Sequence, residues 1–220
     1  VRHDIFHVSE RYPVPISSFA VPSDITIFGG RWADDTYYAD YAGIARKYRP
    51  EEILEIGVRF GYSGIAMCLG ALAGRPNYDP EVWILGYDGI DACFFSHPED
   101  PAVSSNEVAS ANFAAQTPSV GVELFRHDTR AGLPEKVCQY LGVYDLVNVD
   151  GDHSYEGCYR DLVNIWPLTA PGAVVIVDDT GMTDVKRAVE QFRDEHLAEL
   201  QAFQWHENER GLALLQRNAG

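Results

Sequence analysis

Residues 53–61 read Ile-Leu-Glu-Ile-Gly-Val-Arg-Phe-Gly, an apolar run that ends in acid-x-Gly-x-x-x-Gly and passes straight into a helical pattern. A buried strand that flows through glycines into a helix makes a tight βα turn at the C-terminal edge of a parallel sheet. That edge is where open α/β proteins bind small ligands. Gly57 and Gly61 let the chain turn without a Cβ and let a ligand lie against bare backbone. The spacing is neither the Gly-x-Gly-x-x-Gly of dinucleotide sites nor the Gly-Lys-Ser/Thr of a nucleotide phosphate loop.

From about residue 50 the pattern alternates strand and helix, as in a parallel sheet covered on both faces. The expected strands are Ile53–Gly57, Val82–Tyr87 (ending at Asp88), Val122–His127 (ending at Asp128), Tyr144–Asp150 and Ala173–Asp178. The expected helices are Tyr62–Ala73, a segment opened by the capping box Ser104-x-x-Glu107 and running to Gln116, and one with Pro134 in its first turn and Gly142 just past its end. A further helix carries the stripe Tyr155, Tyr159, Leu162, Trp166, and the next carries Val185, Ala188, Val189, Phe192. Pro171-Gly172 turns the chain into the fifth strand. Two final runs, Gln201–His206 and Leu212–Gln216, are joined by Glu-Asn-Glu-Arg-Gly, a hairpin signal.

Residues 1–49 differ. They hold Pro13, Pro15 and Pro22 and many aromatics, with an amphipathic helix over Asp34–Tyr48. We read them as a cap or lid over the ligand edge, or as an oligomer contact, before a ligand-binding domain spanning 50–220. With 17 Lys and Arg against 33 Asp and Glu, the net charge of −16 makes nucleic acid and anionic membrane poor partners. The sequence shows no signal peptide or membrane-length apolar run. Cys68, Cys138 and Cys158 sit among apolar helical residues, as buried small hydrophobes would, which fits a reducing cytoplasm.

Glu55-x-Gly57-x-x-x-Gly61 resembles motif I of the class I S-adenosylmethionine (SAM) dependent methyltransferases. That resemblance implies a Rossmann-like, doubly wound, mostly parallel seven-stranded sheet with an antiparallel C-terminal hairpin. It implies a SAM pocket built by Glu55, Gly57, Gly61, Tyr62 and Ser63, with Glu55 anchoring the loop or reaching the ligand's ammonium. Asp88, closing the second strand, can accept both ribose hydroxyls, with Asp91 a nearby competitor. Asp128-Thr129 closes the third strand, where this class places a polar residue near the adenine amino group. The same pair could instead cap the following helix.

Asp150-Gly151-Asp152-His153 follows the fourth strand and Asp178-Asp179-Thr180 the fifth. Neighbouring parallel strands end side by side, so Asp150, Asp178 and Asp179 should converge, and three carboxylates repel unless protonated or neutralised by a cation. Oxygen ligands favour a hard ion, Mg²⁺ first. The alternative is that Asp179 caps a turn and Asp152 caps a helix. The stretch Asp-Gly-Asp-His-Ser-Tyr-Glu-Gly and the later Pro-Gly-x-x-x-x-x-Asp-Asp resemble the metal-dependent small-molecule O-methyltransferases of the macrocin, cephalosporin-pathway and catechol types. In those, the strand-four Asp and the Asp pair after strand five hold the metal, here Asp150, Asp178 and Asp179, with Asp150 also beside the cofactor. The resemblance implies Asp152 as catalytic base, and His153 is an apt alternative because its ordinary pKa lies near neutrality.

The expected activity is therefore SAM-dependent, divalent-metal-dependent O-methylation of a small molecule: a vicinal diol or catechol-like hydroxyl on a sugar, phenol or natural product. The rivals are a metal-independent methyltransferase acting on N or C and a non-catalytic SAM-fold interaction subunit. A homo-oligomer is compatible with any of them.

Overall fold

The computed structural model describes residues 35–92 apart from 76, 78, 80, 82 and 83, together with 105–206 and 210–220. Helix α1 (Asp35–Tyr48) precedes β1 (Glu52–Ile56), α2 (Tyr62–Ala73), β2 (Gly86–Asp91), α3 (Ser105–Gln116) and β3 (Gly121–Arg126). A single short turn α4 (Glu135–Cys138) leads to β4 (Tyr144–Val149), then α5 (Tyr155–Ile165), β5 (Thr169–Val177), α6 (Thr183–Glu195), β6 (Leu200–His206) and β7 (Leu212–Arg217). The seven strands lie in the order β3-β2-β1-β4-β5-β7-β6. β1 to β5 run parallel, whereas β7 pairs antiparallel with both β5 and β6. This is the doubly wound sheet with a terminal hairpin that the strand-helix alternation predicts.

Both faces of the central strands are buried, and the period of two decides which core each residue joins. Ile53, Val174, Ile176, Leu212 and Leu214 pack beneath α1 and α2. Their neighbours Leu54, Val175, Val177, Ala213 and Leu215 pack on the opposite face against α5 and α6. Val185, Ala188, Val189 and Phe192 of α6 are all buried, as their helical spacing requires. Ser154 caps α5 by accepting from the Gly157 N–H at 3.1 Å. Helix α1 places Tyr41, Ala42, Ile44 and Ala45 in the first of these cores.

Four local expectations change, the first being that the helix expected to run from Pro134 to just before Gly142 is only the single turn α4. The second strand runs Gly86–Asp91, so Asp91 rather than Asp88 closes it; Val82 lies outside the described residues, as do Ser104 of the capping box, Cys93 and residues 1–34. Pro171-Gly172 lies inside β5 rather than before it, at a register shift opposite β4 where Gly172 takes φ 82. Such a bulge tolerates both the missing N–H of proline and the left-handed glycine. Cys138 is exposed, unlike Cys68 and Cys158, because α4 is one turn long and presents only Val137 to the core. Among the described residues no helix is long and apolar enough to cross a membrane.

Candidate active site

The C-terminal ends of β1, β2 and β4 and the loop after β3 surround a cavity of about 680 Å³, within the range of small-molecule sites. Gly57, Tyr62 and Ser63 line one side, Asp91, Asp128 and Thr129 another, and Asp150, Asp152 and His153 a third, with Tyr38, Arg59 and Arg210 completing the wall.

The glycine turn is shaped as much by its neighbours as by any ligand. Gly57 has φ 93, and a Cβ there would come within 1.9 Å of the Asp150 carbonyl oxygen. Gly61 has φ 82, and a Cβ would meet the Phe113 ring at 2.7 Å. Glycine at both positions is thus required for the β1 turn to nest between the β4 loop and α3. Glu55 lies wholly beneath this turn. Its Oε1 accepts from Ser63 Oγ at 2.5 Å and from Asn148 Nδ2 at 2.8 Å, and its Oε2 accepts from the Tyr87 hydroxyl. Burial pushes its pKa up to about 7 against the opposing pull of these bonds. Of the two roles open to Glu55, the geometry is that of the anchor.

Asp88 lies three residues before the end of β2, about 10 Å short of the sheet edge at the usual strand rise. It accepts from the Tyr144 hydroxyl at 2.5 Å and does not line the cavity. The strand ends three residues later than the apolar run suggested, and Asp91 takes the edge position. Its Oδ2 accepts from the Arg59 N–H at 2.6 Å, which couples it to the glycine turn. Asp128 caps the short helical turn 129–131 and pairs with Arg130. Those hydrogen bonds hold the exposed carboxyl at about 2.

The tips of β4 and β5 do meet, but not through the expected trio. One ligand atom from each of Asp150, His153 and Asp179 lies within 4.8 Å of the others, a group able to hold a metal ion. His153 Nε2 is 3.1 Å from Asp150 Oδ1 and 3.4 Å from Asp179 Oδ2. Asp178 stays out of this group because side chains alternate along a strand: its carboxylate is fully enclosed and accepts from the Asp179 N–H at 2.7 Å. Asp179 turns toward His153 through a left-handed residue with φ 55. The Asp150 carboxyl is raised, first by burial and then by Asp178 beside it, and the His153 imidazole is raised chiefly by its hydrogen bond to Asp150. Asp152 behaves differently. Partial burial is outweighed by hydrogen bonds from Ser154, whose N–H donates at 2.9 Å, so its carboxyl lies below the usual range.

Arg210 escaped the sequence reading. Its guanidinium grips Asp179 with both arms, Nε to Oδ1 at 2.7 Å and Nη2 to Oδ2 at 2.5 Å, and Nη2 lies 3.6 Å from Asp178. The signal was topological: a hairpin whose second strand pairs antiparallel with β5 must place its turn beside the β5 tip. Asp161 was missed as well. It is fully buried behind Gly151, and burial pushes its carboxyl up to about 6.

The sheet order and this edge define a class I SAM-dependent methyltransferase. A family model described as "Methyltransferase domain" matches residues 54–180, more than half the chain, and the protein belongs to that family. It is a methyltransferase rather than a non-catalytic subunit. No curated protein matches the chain. Among solved structures, an O-methyltransferase from Bacillus cereus in complex with SAH is 14% identical, covering 86% of this chain and 83% of its own, with a TM-score of 0.60. TomG from Streptomyces achromogenes, an O-methyltransferase involved in tomaymycin synthesis and solved with SAM, is 16% identical over 86% and 82%, at 0.60. The SAH-bound methyltransferase PaMTH1 of Podospora anserina is 15% identical over 85% and 80%, at 0.59. At these identities the likeness is one of fold.

Proposed function

We propose that the protein is a SAM-dependent O-methyltransferase in which a divalent ion, held by Asp150, His153 and Asp179, fixes a hydroxyl of a small vicinal diol or catechol-like acceptor. The observation that carries this reading is the meeting of those three side chains at the edge of the cavity that Asp150, His153 and the Gly57 turn line. The donor set fits: two carboxylates and an imidazole suit Mg²⁺ or Mn²⁺, with the imidazole moving the balance toward Mn²⁺ compared with an all-oxygen site. When bound, such an ion supplies Lewis acidity that lowers the pKa of a coordinated hydroxyl. SAM supplies a methyl already activated on a sulfonium, so the protein's task is alignment and exclusion of water.

The side chains divide that task. Gly57, Tyr62 and Ser63 border the cofactor's amino-acid portion, Asp91 takes the ribose hydroxyls, and Asp128-Thr129 flanks the adenine. Asp152 lines the same cavity and is held ionised, so it can accept the hydroxyl proton at neutral pH. His153 has its Nε2 turned to Asp150 and Asp179, which supports a place at the ion rather than as the base. Tyr38 of α1 reaches the cavity, consistent with an aromatic N-terminal segment walling the acceptor pocket.

A second reading has its own support. The bidentate grip of Arg210 on Asp179 already supplies one positive partner, as a metal-independent enzyme acting on N or C would need. Turnover with SAM and a panel of catechols and vicinal diols, assayed with chelator and after adding Mg²⁺ or Mn²⁺ back, separates the two. We expect loss and recovery. Undiminished turnover in chelator would remove the ion.

A further inference from the structure

We propose that Arg210 is a tethered cation that shares Asp179 with the divalent ion, so that the ion loads only when the guanidinium leaves. This rests on the metal-dependent reading above. The atom in contention is Asp179 Oδ2: it lies 3.4 Å from His153 Nε2, inside the group able to hold an ion, and 2.5 Å from Arg210 Nη2. A guanidinium that uses both carboxylate oxygens is the strongest form of this pairing. A divalent ion brought to the same oxygen would face a like charge a few ångströms away, in a site only partly open to water.

The arginine is built to let go without the loop moving. Its own carbonyl accepts from the Gly181 N–H at 2.9 Å, and the Gly211 carbonyl accepts from the Thr180 N–H at 3.1 Å. These two bonds pin the residues before β7 to the β5 tip, while the side chain borders the cavity and is 42% exposed. A Cβ on Gly211 would meet Thr180 Oγ1 at 2.7 Å, so the close approach of the two turns depends on that glycine. The neighbouring Asp178, 3.6 Å from Nη2, gives the guanidinium a second carboxylate and strengthens its claim on the site. Ion affinity is thereby held below what the donor set alone would give, and the acidic tips stay neutralised before loading.

The test measures Mn²⁺ binding to the full chain by electron paramagnetic resonance of the free ion, for wild type, Arg210→Gln, Arg210→Lys and Asp179→Asn. Competition predicts that Arg210→Gln binds Mn²⁺ about tenfold more tightly than wild type, a coupling of ordinary size for two linked ligands. Arg210→Lys, which keeps a charge but loses the fork, should fall between them and covers the case in which the glutamine variant does not fold. Thermal unfolding gives a second readout: in chelator Arg210→Gln should melt below wild type, and Mn²⁺ should raise its midpoint by more than it raises that of wild type. Equal or weaker Mn²⁺ binding by both arginine variants, with wild type binding and Asp179→Asn not, would overturn the proposal and leave the metal reading standing. Absence of binding by wild type and arginine variants alike would overturn both.

Discussion

Two groups of buried acids sit at the same edge of the sheet and are satisfied in opposite ways. Beneath the β1 turn, Glu55 is held by three neutral donors, Ser63, Asn148 and Tyr87. At the tips of β4 and β5, Asp150 and Asp179 lean on groups that are charged or can become so, His153 and Arg210. Neutral hydrogen bonds from packed side chains have no exchange partner in solution, so the first group works as an anchor. Ionic partners on a long arginine and a half-exposed histidine can be traded for another cation. The difference separates carboxylates that hold the fold from carboxylates placed for chemistry, although burial raises the carboxyls of Glu55 and Asp150 alike.

The contrast can be broken in order of expected effect. Asp179→Asn should lower ion-dependent methyl transfer by about 100-fold or more, since even groups that merely hold metal ligands in place change activity by about 10–100-fold. Its urea midpoint should move far less than its turnover. Glu55→Ala should do the reverse: three donors lose their acceptor, costing about 2 kcal/mol in a denaturant titration at unsatisfied-donor prices, while Mn²⁺ affinity is retained. A matching loss of Mn²⁺ binding there would erase the distinction.

Asp91→Asn should weaken SAM binding about tenfold in calorimetry, the scale of one lost charge-assisted bond, whereas Asp88→Asn leaves SAM affinity near wild type and shows its effect in stability. The smallest effect is one of slope. The Glu55 carboxyl is raised from 4.5 to about 7 in the folded chain. Between those values the native state binds the extra proton, so this group's contribution is complete below the lower value and declines as pH rises through the upper one. Urea midpoints of wild type should therefore fall relative to those of Glu55→Gln between pH 5 and pH 8, and parallel curves would count against a buried anchor.

Much of this architecture was legible before any coordinates. The alternation of apolar strand and amphipathic helix, and the hairpin runs at the end, specify the sheet because periods of two and 3.6 leave few ways to bury both faces. The limit of β2 was not legible: Gly86, Asp88, Gly89 and Asp91 break the apolar pattern, and pairing with β1 and β3 carries the strand through them. The short α4 was overread from Pro134 and Gly142, which mark ends of a helix without setting its length.

Local chemistry along the chain dictated that a glycine turn would open a ligand edge and that acids from two strands would gather beside it. Which acids face the cavity, and what neutralises them, followed from contacts between segments far apart in sequence. Asp179 swings toward His153 through a left-handed turn while Asp178 is sealed in the core, and Arg210 arrives from a hairpin 31 residues downstream. Side-chain direction at a strand's end depends on a few backbone angles, and ion pairing depends on distance in space. Neither quantity is written in a one-dimensional pattern of residue types.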